Sequence, residues 1–394
     1  MAKSRSMVTF AVMSVFFVAM GIGTITPAIQ SIADAFPDVA FSTLLLVSTL
    51  PSLLIIPATL FSGAMAGTKI GYRPLLLVAL ILFLAGGVAP AFLNNFTTIL
   101  LSRAVFGIGI GLLSPLGNAL VLGLFEGQER ANMLGLGGVV MNLGGIAFQM
   151  LGGFLAAISW RYAFLAHGLA VISLLVVLFL LPEPEKVEVP AGPKATMPLA
   201  VYVISLLFGI AMMLNYPMLV NMSTIIISGN LGTAASAGMV LSMFTVGGMV
   251  AGSIFGKLHQ IVQRFTISVG LTITALGMAL VYYANSLLTL TVGTTGVGIG
   301  FGLVMPAVMM ILGTIVPPHA FAIASGILMA VMNAFAFLST YYIEFIARVT
   351  GEPAIKSPIF IALCAYVAAV VIYTLANLKS PAKPSAPGAS EEGK

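Results

Sequence analysis

GIGIGLLSP, residues 107–115, returns as GIGFGLVMP at residues 298–306, 191 positions later. A string repeated at a fixed distance is the mark of an internally duplicated chain, and the duplication has to be settled before any single element is read. The match extends beyond it. Val140-Met141-Asn142 corresponds to Val331-Met332-Asn333, and Gly135 to Gly326, both at the same offset of 191. Pro27 pairs with Pro217 at offset 190, and Gly63 and Gly67 with Gly252 and Gly256 at offset 189. Matches in one order at nearly one offset imply two related halves.

Composition says where such a chain can live. Of its 394 residues, 60% are hydrophobic and 7% charged. Soluble domains carry roughly a quarter charged residues, so this inventory cannot build a surface for water, and lipid must take water's place around it. The formal charge of +5 comes from basic residues scattered singly between apolar runs, which excludes a nucleic-acid-binding face. A lone cysteine, Cys364, and three distant histidines, His167, His259 and His319, provide neither a disulfide framework nor a metal-ligand spacing. No cofactor motif is present. GIGIG lies inside an apolar run and not behind a soluble strand, so it is no dinucleotide fingerprint, and no triad, metal cluster or nucleotide loop points to an enzyme.

A spanning helix needs about 20 apolar residues. Twelve such segments are predicted, at 7–30, 42–66, 74–93, 97–123, 131–157, 160–182, 197–226, 233–256, 265–284, 286–315, 319–347 and 357–378. The first outruns the short core of a cleaved signal peptide and reads as a membrane helix. With the N-terminus in the cytoplasm, twelve of the sixteen Lys and Arg residues fall inside, three outside, and Arg103 within a helix. The positive-inside rule therefore predicts a multi-pass membrane protein with both termini cytoplasmic. The expected fold is all-α, with twelve transmembrane helices in two pseudo-symmetric six-helix bundles. The predicted units are residues 1–182, a cytoplasmic linker at 183–196, residues 197–378, and a disordered tail at 379–394. A monomer in the lipid bilayer is expected.

The repeated glycines read first as packing faces. Helices in lipid have no hydrophobic drive toward one another, so association rests on close backbone approach. The prolines read as bends, since each removes a helix hydrogen bond. Pro115 and Pro306 stand in the cytoplasmic halves of helices four and ten, and Pro27 and Pro217 in the outer parts of helices one and seven. Bends near opposite ends of two helix pairs suit a device that opens to one side and then the other.

On these strings the chain resembles the major facilitator superfamily, nearest its bacterial drug-efflux-like branch. SGAMAGTKIGYRPLLL (62–77) is similar to the family's loop between helices two and three, usually Gly-x-Leu-Ala-Asp-Arg-x-Gly-Arg-Lys. Aligned on Gly71, the usual acid is Thr68 and the usual base Lys69; with Arg73, the resemblance implies a cytoplasmic gating loop lacking its acid. LLSRAVFGIGIG (100–111) is similar to the helix-four motif, with Arg103 its arginine, and Thr294 holds that position in helix ten. GGFLAAISWRYAFL (152–165) resembles the end of helix five, but Phe148 and Gln149 replace the Gly-Pro usual in antiporters. In helix one Gly23 stands where many related exporters carry an acid. The resemblance implies alternating access in a bacterial inner membrane, with helices one, four, seven and ten lining a central path.

Candidate transport residues follow from cost. A charge in hydrocarbon is expensive. Arg103, six residues inside helix four, either snorkels to the outer interface or attracts an anion or tunes a proton site. Glu344 either pairs with Arg348 at i,i+4 or carries a proton, and Asp34 either belongs to the loop after helix one or takes that coupling role. Unpaired amides are also costly in lipid, so Asn118, Asn142, Asn215, Tyr216, Asn221 and Asn333 are expected between helices or facing a wet cavity, with Asn142 and Asn333 at equivalent positions across it. The function expected is secondary transport of a small apolar or amphipathic compound, outward, with protons as a candidate coupling ion. The alternative is import of an organic anion or other small solute, supported by Arg103 and by the missing mid-membrane acid.

Overall fold

The computed structural model describes residues 5–184, 196–317, 320–351 and 355–379. Most of the predicted linker and tail, and His319, lie outside them. The described residues form α1 (Arg5–Ala35), α2 (Phe41–Met65), α3 (Tyr72–Phe92), α4 (Phe96–Leu124), α5 (Gly127–Ile158), α6 (Trp160–Leu180), α7 (Leu199–Ser228), α8 (Ala234–Val262), α9 (Thr266–Tyr282), α10 (Leu287–Ile315), α11 (Phe321–Thr350) and α12 (Ser357–Lys379). Only the short 3-10 turn Gln263–Phe265, with Gln263 at φ 45°, parts α8 from α9. The whole of Ala234–Tyr282 is 49 residues, which would run about 73 Å at 1.5 Å per residue, far beyond a bilayer core of about 30 Å. It therefore makes two crossings. Helix α8 runs six residues past its predicted end, because hydropathy marks where lipid stops while the backbone continues helically into the aqueous boundary.

Each half repeats one packing scheme. In the first, α4 lies against α2 and α3, α1 against α5, and α3 against α6; in the second, α10 lies against α8 and α9, α7 against α11, and α9 against α12. The repeated string accounts for the seating of α4 against α2 and α3. A side chain on Gly107 or Gly111 would strike the α2 backbone, at 2.6 Å from Pro51 O and 2.7 Å from Ile55 O, and one on Gly109 the α3 backbone, at 2.5 Å from Phe83 N. The copies behave alike. Gly298 and Gly302 abut α8, at Phe244 and Gly248, and Gly300 abuts α9, where a Cβ would sit 2.5 Å from Gly270 O. Alternate glycines thus seat one helix against two neighbours. The caps are equivalent too: Asn95 accepts from Thr98 N and Ser286 from Thr289 N, each at 3.2 Å.

The halves meet through α5 with α8 and α2 with α11. They touch near the face opposite the one that carries Arg5 and the α6–α7 connection; we call these the distal face and the linker face. Three of the four hydrophobic clusters lie within a single half. The fourth joins Ile25, Ile29, Leu45 and Ile99 of the first half with Val220, Ala234, Ile343 and Ile346 of the second, and it seals the distal face. Thr49 and Thr340 share a hydrogen bond of 2.7 Å across the seam, and Ser223 Oγ donates to Pro27 O at 2.6 Å. Gly153 of α5 meets α8 so closely that a Cβ would lie 2.7 Å from Ala234 O. On the linker side Gly63, Gly135, Gly138, Gly252, Gly256 and Gly326 meet nothing within 4 Å. A cleft therefore opens between the halves toward the linker face.

The paired prolines differ in their local backbone. Pro27 lies in a 3-10 stretch, Gly21–Ala28, that interrupts α1, and α4 breaks between Leu113 and Leu116 beside Pro115. Helices α7 and α10 run unbroken through Pro217 and Pro306. Among the described residues, the helix ladder is interrupted beside the prolines of the first half and continuous through those of the second. In α1 two glycines precede Pro27 and lower the cost of leaving the α-helix, whereas Leu, Met and other good helix formers surround Pro217.

Gly300→Ala would drive a methyl into the α9 backbone and is expected to cost about 1–3 kcal/mol. Gly252→Ala, facing the cleft, is expected to leave stability unchanged. Thermal unfolding of the detergent-purified variants measures both, and equal midpoints would contradict the packing role given to the repeated string.

Candidate functional site: a cleft between the two halves

Of the residues picked out in the sequence, the amides reach the cleft best. Asn118 is exposed on α4 and borders a cavity of about 130 Å³ walled by Val15 and Phe16 of α1, Leu113 and Ser114 of α4, and Leu134, Gly138 and Met141 of α5. The break at Pro115 places the Ser114 and Asn118 side chains on that wall. Asn142 and Asn333, equivalent by the repeat, make equivalent bonds. The Nδ2 of Asn142 donates to Gly138 O at 2.8 Å and that of Asn333 to Met329 O at 2.9 Å. Each amide spends one of its two N–H donors on its own helix and keeps the other, with its oxygen, for another partner. Asn215 is buried in α7 with its Oδ1 unpartnered. Tyr216 packs against the distal seal. Asn221 donates to Ile355 O at 3.0 Å, which ties α7 to the segment before α12.

Arg103 stands elsewhere. It is wholly buried, its Nε donates to Val47 O of α2 at 2.9 Å, and its guanidinium carbon sits 3.9 Å over the Phe106 ring. The side chain neither snorkels to the interface nor lines the cleft, because the glycines that bring α4 against α2 enclose it between them. A cation–π contact and one hydrogen bond offset part of its desolvation; Nη1 and Nη2 have no partner. The Phe106 ring is also packed edge-on by buried His167 of α6, at 4.8 Å between centroids. Thr294, in the equivalent place on α10, is likewise buried with its hydroxyl unpartnered.

The two candidate coupling acids sit on the outside of the bundle. Glu344 accepts a hydrogen bond from Arg348 in an i,i+4 pair, with 31% of its side chain exposed. Asp34 is exposed and accepts from Gln30 Nε2 at 2.8 Å. Both lie toward the distal ends of their helices, where each makes the surface pairing that the sequence offers beside a coupling role.

The loop between α2 and α3 is built differently from its motif. Thr68, at the acid position, donates to Ala64 O at 3.0 Å and serves only its own helix. The carboxylate comes from Glu183, 111 residues from Tyr72: it accepts from Tyr72 N at 2.5 Å and Arg73 N at 2.9 Å and so caps α3. Gly71 makes room for it, since a Cβ there would lie 2.7 Å from Glu183 Oε1. The Arg73 guanidinium donates to Leu178 O of α6. Lys69 contributes a backbone bond to Met65 O at 3.2 Å. The loop is thus fastened within the first half.

One residue escaped the sequence-based site set. Gln149 of α5 leans on the interrupted stretch of α1, where a Cβ on Gly23 would sit 2.8 Å from its Nε2, and its Oε1 is buried without a partner. The amide thus fills the space beside the position where related helices carry an acid. A glutamine among the glycines of GGIAFQMLGG was the available signal.

The comparisons agree with this architecture. The family model of the Major Facilitator Superfamily matches twice, over residues 11–214 and 201–394. The quinolone resistance protein NorA of Staphylococcus aureus (strain MSSA476) is 23% identical over 372 residues, covering 91% of this chain and 93% of that protein. Among solved structures, a bacterial homolog of the human lysosomal transporter Spinster, inward-facing and unoccupied, superposes with a TM-score of 0.73 at 17% identity, covering 96% of this chain and 99% of that one. A point mutant of the nucleoside transporter NupG reaches 0.78 at 12% identity, covering 93% and 99%. With twelve helices in two like halves, a cleft between them, and a family match over each half, the chain is a multi-pass membrane transporter of the Major Facilitator Superfamily.

Proposed function

We propose that this chain exports a small apolar or amphipathic compound by alternating access, with the linker face in the cytoplasm as the charge bias predicts. The observation that carries the reading is a register. At the closed distal seam Gly153 of α5 lies against Gly238 of α8, and Thr49 of α2 against Thr340 of α11. Eighteen residues back along α5 is Gly135, and eighteen forward along α8 is Gly256. Eighteen residues are five whole turns, so each glycine returns to the same helix face about 27 Å away. Fourteen residues on from Thr49 is Gly63, and fourteen back from Thr340 is Gly326; this is close to four turns. The glycines that now face open space stand where an antiparallel seam would bring them together if the halves rocked. One bundle then has two matched seams, of which one is closed.

The cleft supports the substrate class. The cavity beside Asn118 is walled by Phe16, Leu113, Leu134 and Met141, Asn142 is one residue on from Met141 with Asn333 as its equivalent in the second half, and Arg103 is buried between α4 and α2. The burial of Arg103 removes the main support for an anion importer. Likeness to a quinolone resistance protein favours outward movement of an amphipathic compound. Substrate selection rests on the Asn118 cavity, and the closing motion on the linker-side glycines. Protons remain a candidate coupling ion, though not by way of Glu344 or Asp34.

Gly135→Cys/Gly256→Cys and Gly63→Cys/Gly326→Cys, made with Cys364→Ala, are expected to form disulfides that stop transport and release it on reduction. If each cysteine reacts with a maleimide yet no pair cross-links, the seam is wrong. In proteoliposomes, Asn118→Leu is expected to raise the KM for a lipophilic fluorescent dye about tenfold, the equivalent of one hydrogen bond of about 1.4 kcal/mol, with folding intact; an unchanged KM would remove Asn118 from the site. Glu344→Gln is expected to leave any dependence of dye movement on an imposed pH gradient unaltered, and loss of that dependence would restore Glu344 as a coupling group.

A further inference from the structure

The two halves differ at one corner of the distal face. In the first half, the turn between α3 and α4 is clamped from the start of α6. Arg161 Nη1 donates to Leu93 O at 2.8 Å and Ala91 O at 3.3 Å, and Nη2 to Asn94 Oδ1 at 2.7 Å. Aromatic rings fill the space behind it: Phe36 lies 5.3 Å from Phe96 and 5.4 Å from Trp160, and Trp160 lies 6.2 Å from Phe164. In the second half the turn between α9 and α10 holds the same place, with Ala284 and Asn285 at 191 residues from Leu93 and Asn94. Here Lys356 reaches Ala284 O from before α12, but only at 3.4 Å. The rings at this corner turn outward instead: Tyr282 pairs with Tyr283 at 4.9 Å and Phe360 at 5.1 Å, and both of those are exposed. A cavity of about 640 Å³ opens between α7, this turn and the start of α12.

Its wall has the makings of an anion site. Lys356 brings a cation spent on one long hydrogen bond. Asn285, Ser228 and Ser357 line it with an amide and two hydroxyls, and α12 begins at Ser357 with the positive end of its dipole toward the cavity. Thr224 stands on the same wall, only 4% exposed, with its Oγ1 shielded and lacking any hydrogen-bond partner. An unmade hydrogen bond at a buried hydroxyl is costly unless something completes it. Ile225, Leu231 and Tyr282 form an apolar flank. Outside, Tyr283, Leu288 and Phe360 are exposed, at 70%, 73% and 42%, as expected of side chains facing the lipid boundary.

We propose that this corner binds a phosphate group, the headgroup of an anionic phospholipid in the adjoining leaflet. The phosphate lies by Lys356 and the start of α12, takes hydrogen bonds from the amide and hydroxyls, and its glycerol and upper chain rest on the apolar flank. The site is separate from the transport cleft, and its occupancy supplies for the second half what Arg161 and the aromatic plug supply for the first.

The test is the thermal midpoint of the full-length protein in an uncharged detergent, with phosphatidylglycerol, phosphatidylcholine or inorganic phosphate added. Phosphatidylglycerol is expected to raise the wild-type midpoint by about 3 °C more than phosphatidylcholine does, and Lys356→Gln and Asn285→Ala to abolish the difference. Lys356 and Asn285 are both exposed, so the variants keep the fold. If inorganic phosphate alone protects wild type and not the variants, the anion site stands with a soluble ion as its ligand. If phosphatidylglycerol protects wild type and both variants equally, or if nothing protects wild type, the proposal is overturned.

Discussion

Everything in this bundle answers to the want of a hydrophobic force between its helices. Lipid tails solvate leucine as well as another leucine does, so a contact that holds must offer closer packing than lipid can. Glycine provides it. The two copies of the repeated string set one helix against two others in each half, and Gly153 against α8 closes the distal seam. The same residue type then marks the side that stands open. A contact made by backbone atoms across glycine adds no interlocked side chains of its own, so little has to be repacked where α5 crosses α8; the side chains that parting the seam would separate are those of the distal cluster, Ile25, Ile29 and Leu45 against Val220, Ile343 and Ile346.

The departures from symmetry fall where the two halves do different work. The first half holds the buried Arg103, the capped loop before α3 and the interrupted helices α1 and α4. The second half has unbroken α7 and α10, a threonine in place of the arginine, and the open distal corner. Glu183 shows how such a departure is compensated. The motif's acid is gone from its own loop, and a carboxylate from the end of α6 takes over the start of α3. Its charge is well placed there, since it meets two unbonded N–H groups and the positive end of the helix.

The fold was legible because hydropathy, charge bias and an offset of 191 are each read along one dimension. Twelve helices and their pairing into like halves needed nothing else. What resisted was side-chain direction. Arg103 looked like a cavity charge because its sequence neighbours are apolar; only the closeness of α4 to α2, itself a product of Gly107 and Gly111, encloses it. Pro217 and Pro306 looked like the partners of Pro27 and Pro115, yet whether a proline interrupts a helix depends on the residues around it and on what neighbouring helices hold in place. Gln149 stands where the motif has its proline, and only the nearness of α1 at Gly23 gives it a place in the site. The Glu183 cap joins residues 110 apart, and no local pattern announces it.

The amide bonds of Asn142 and Asn333 have a bearing on chemistry. Each amide has committed one of its two N–H groups to a carbonyl of its own helix, which leaves one N–H and the oxygen free to turn outward. A surface that can both give and receive hydrogen bonds, on side chains tethered at one end, accommodates neutral polar groups of either kind on an otherwise apolar cargo. Breadth of cargo would then come from the even-handedness of the amide and not from movement of the side chain.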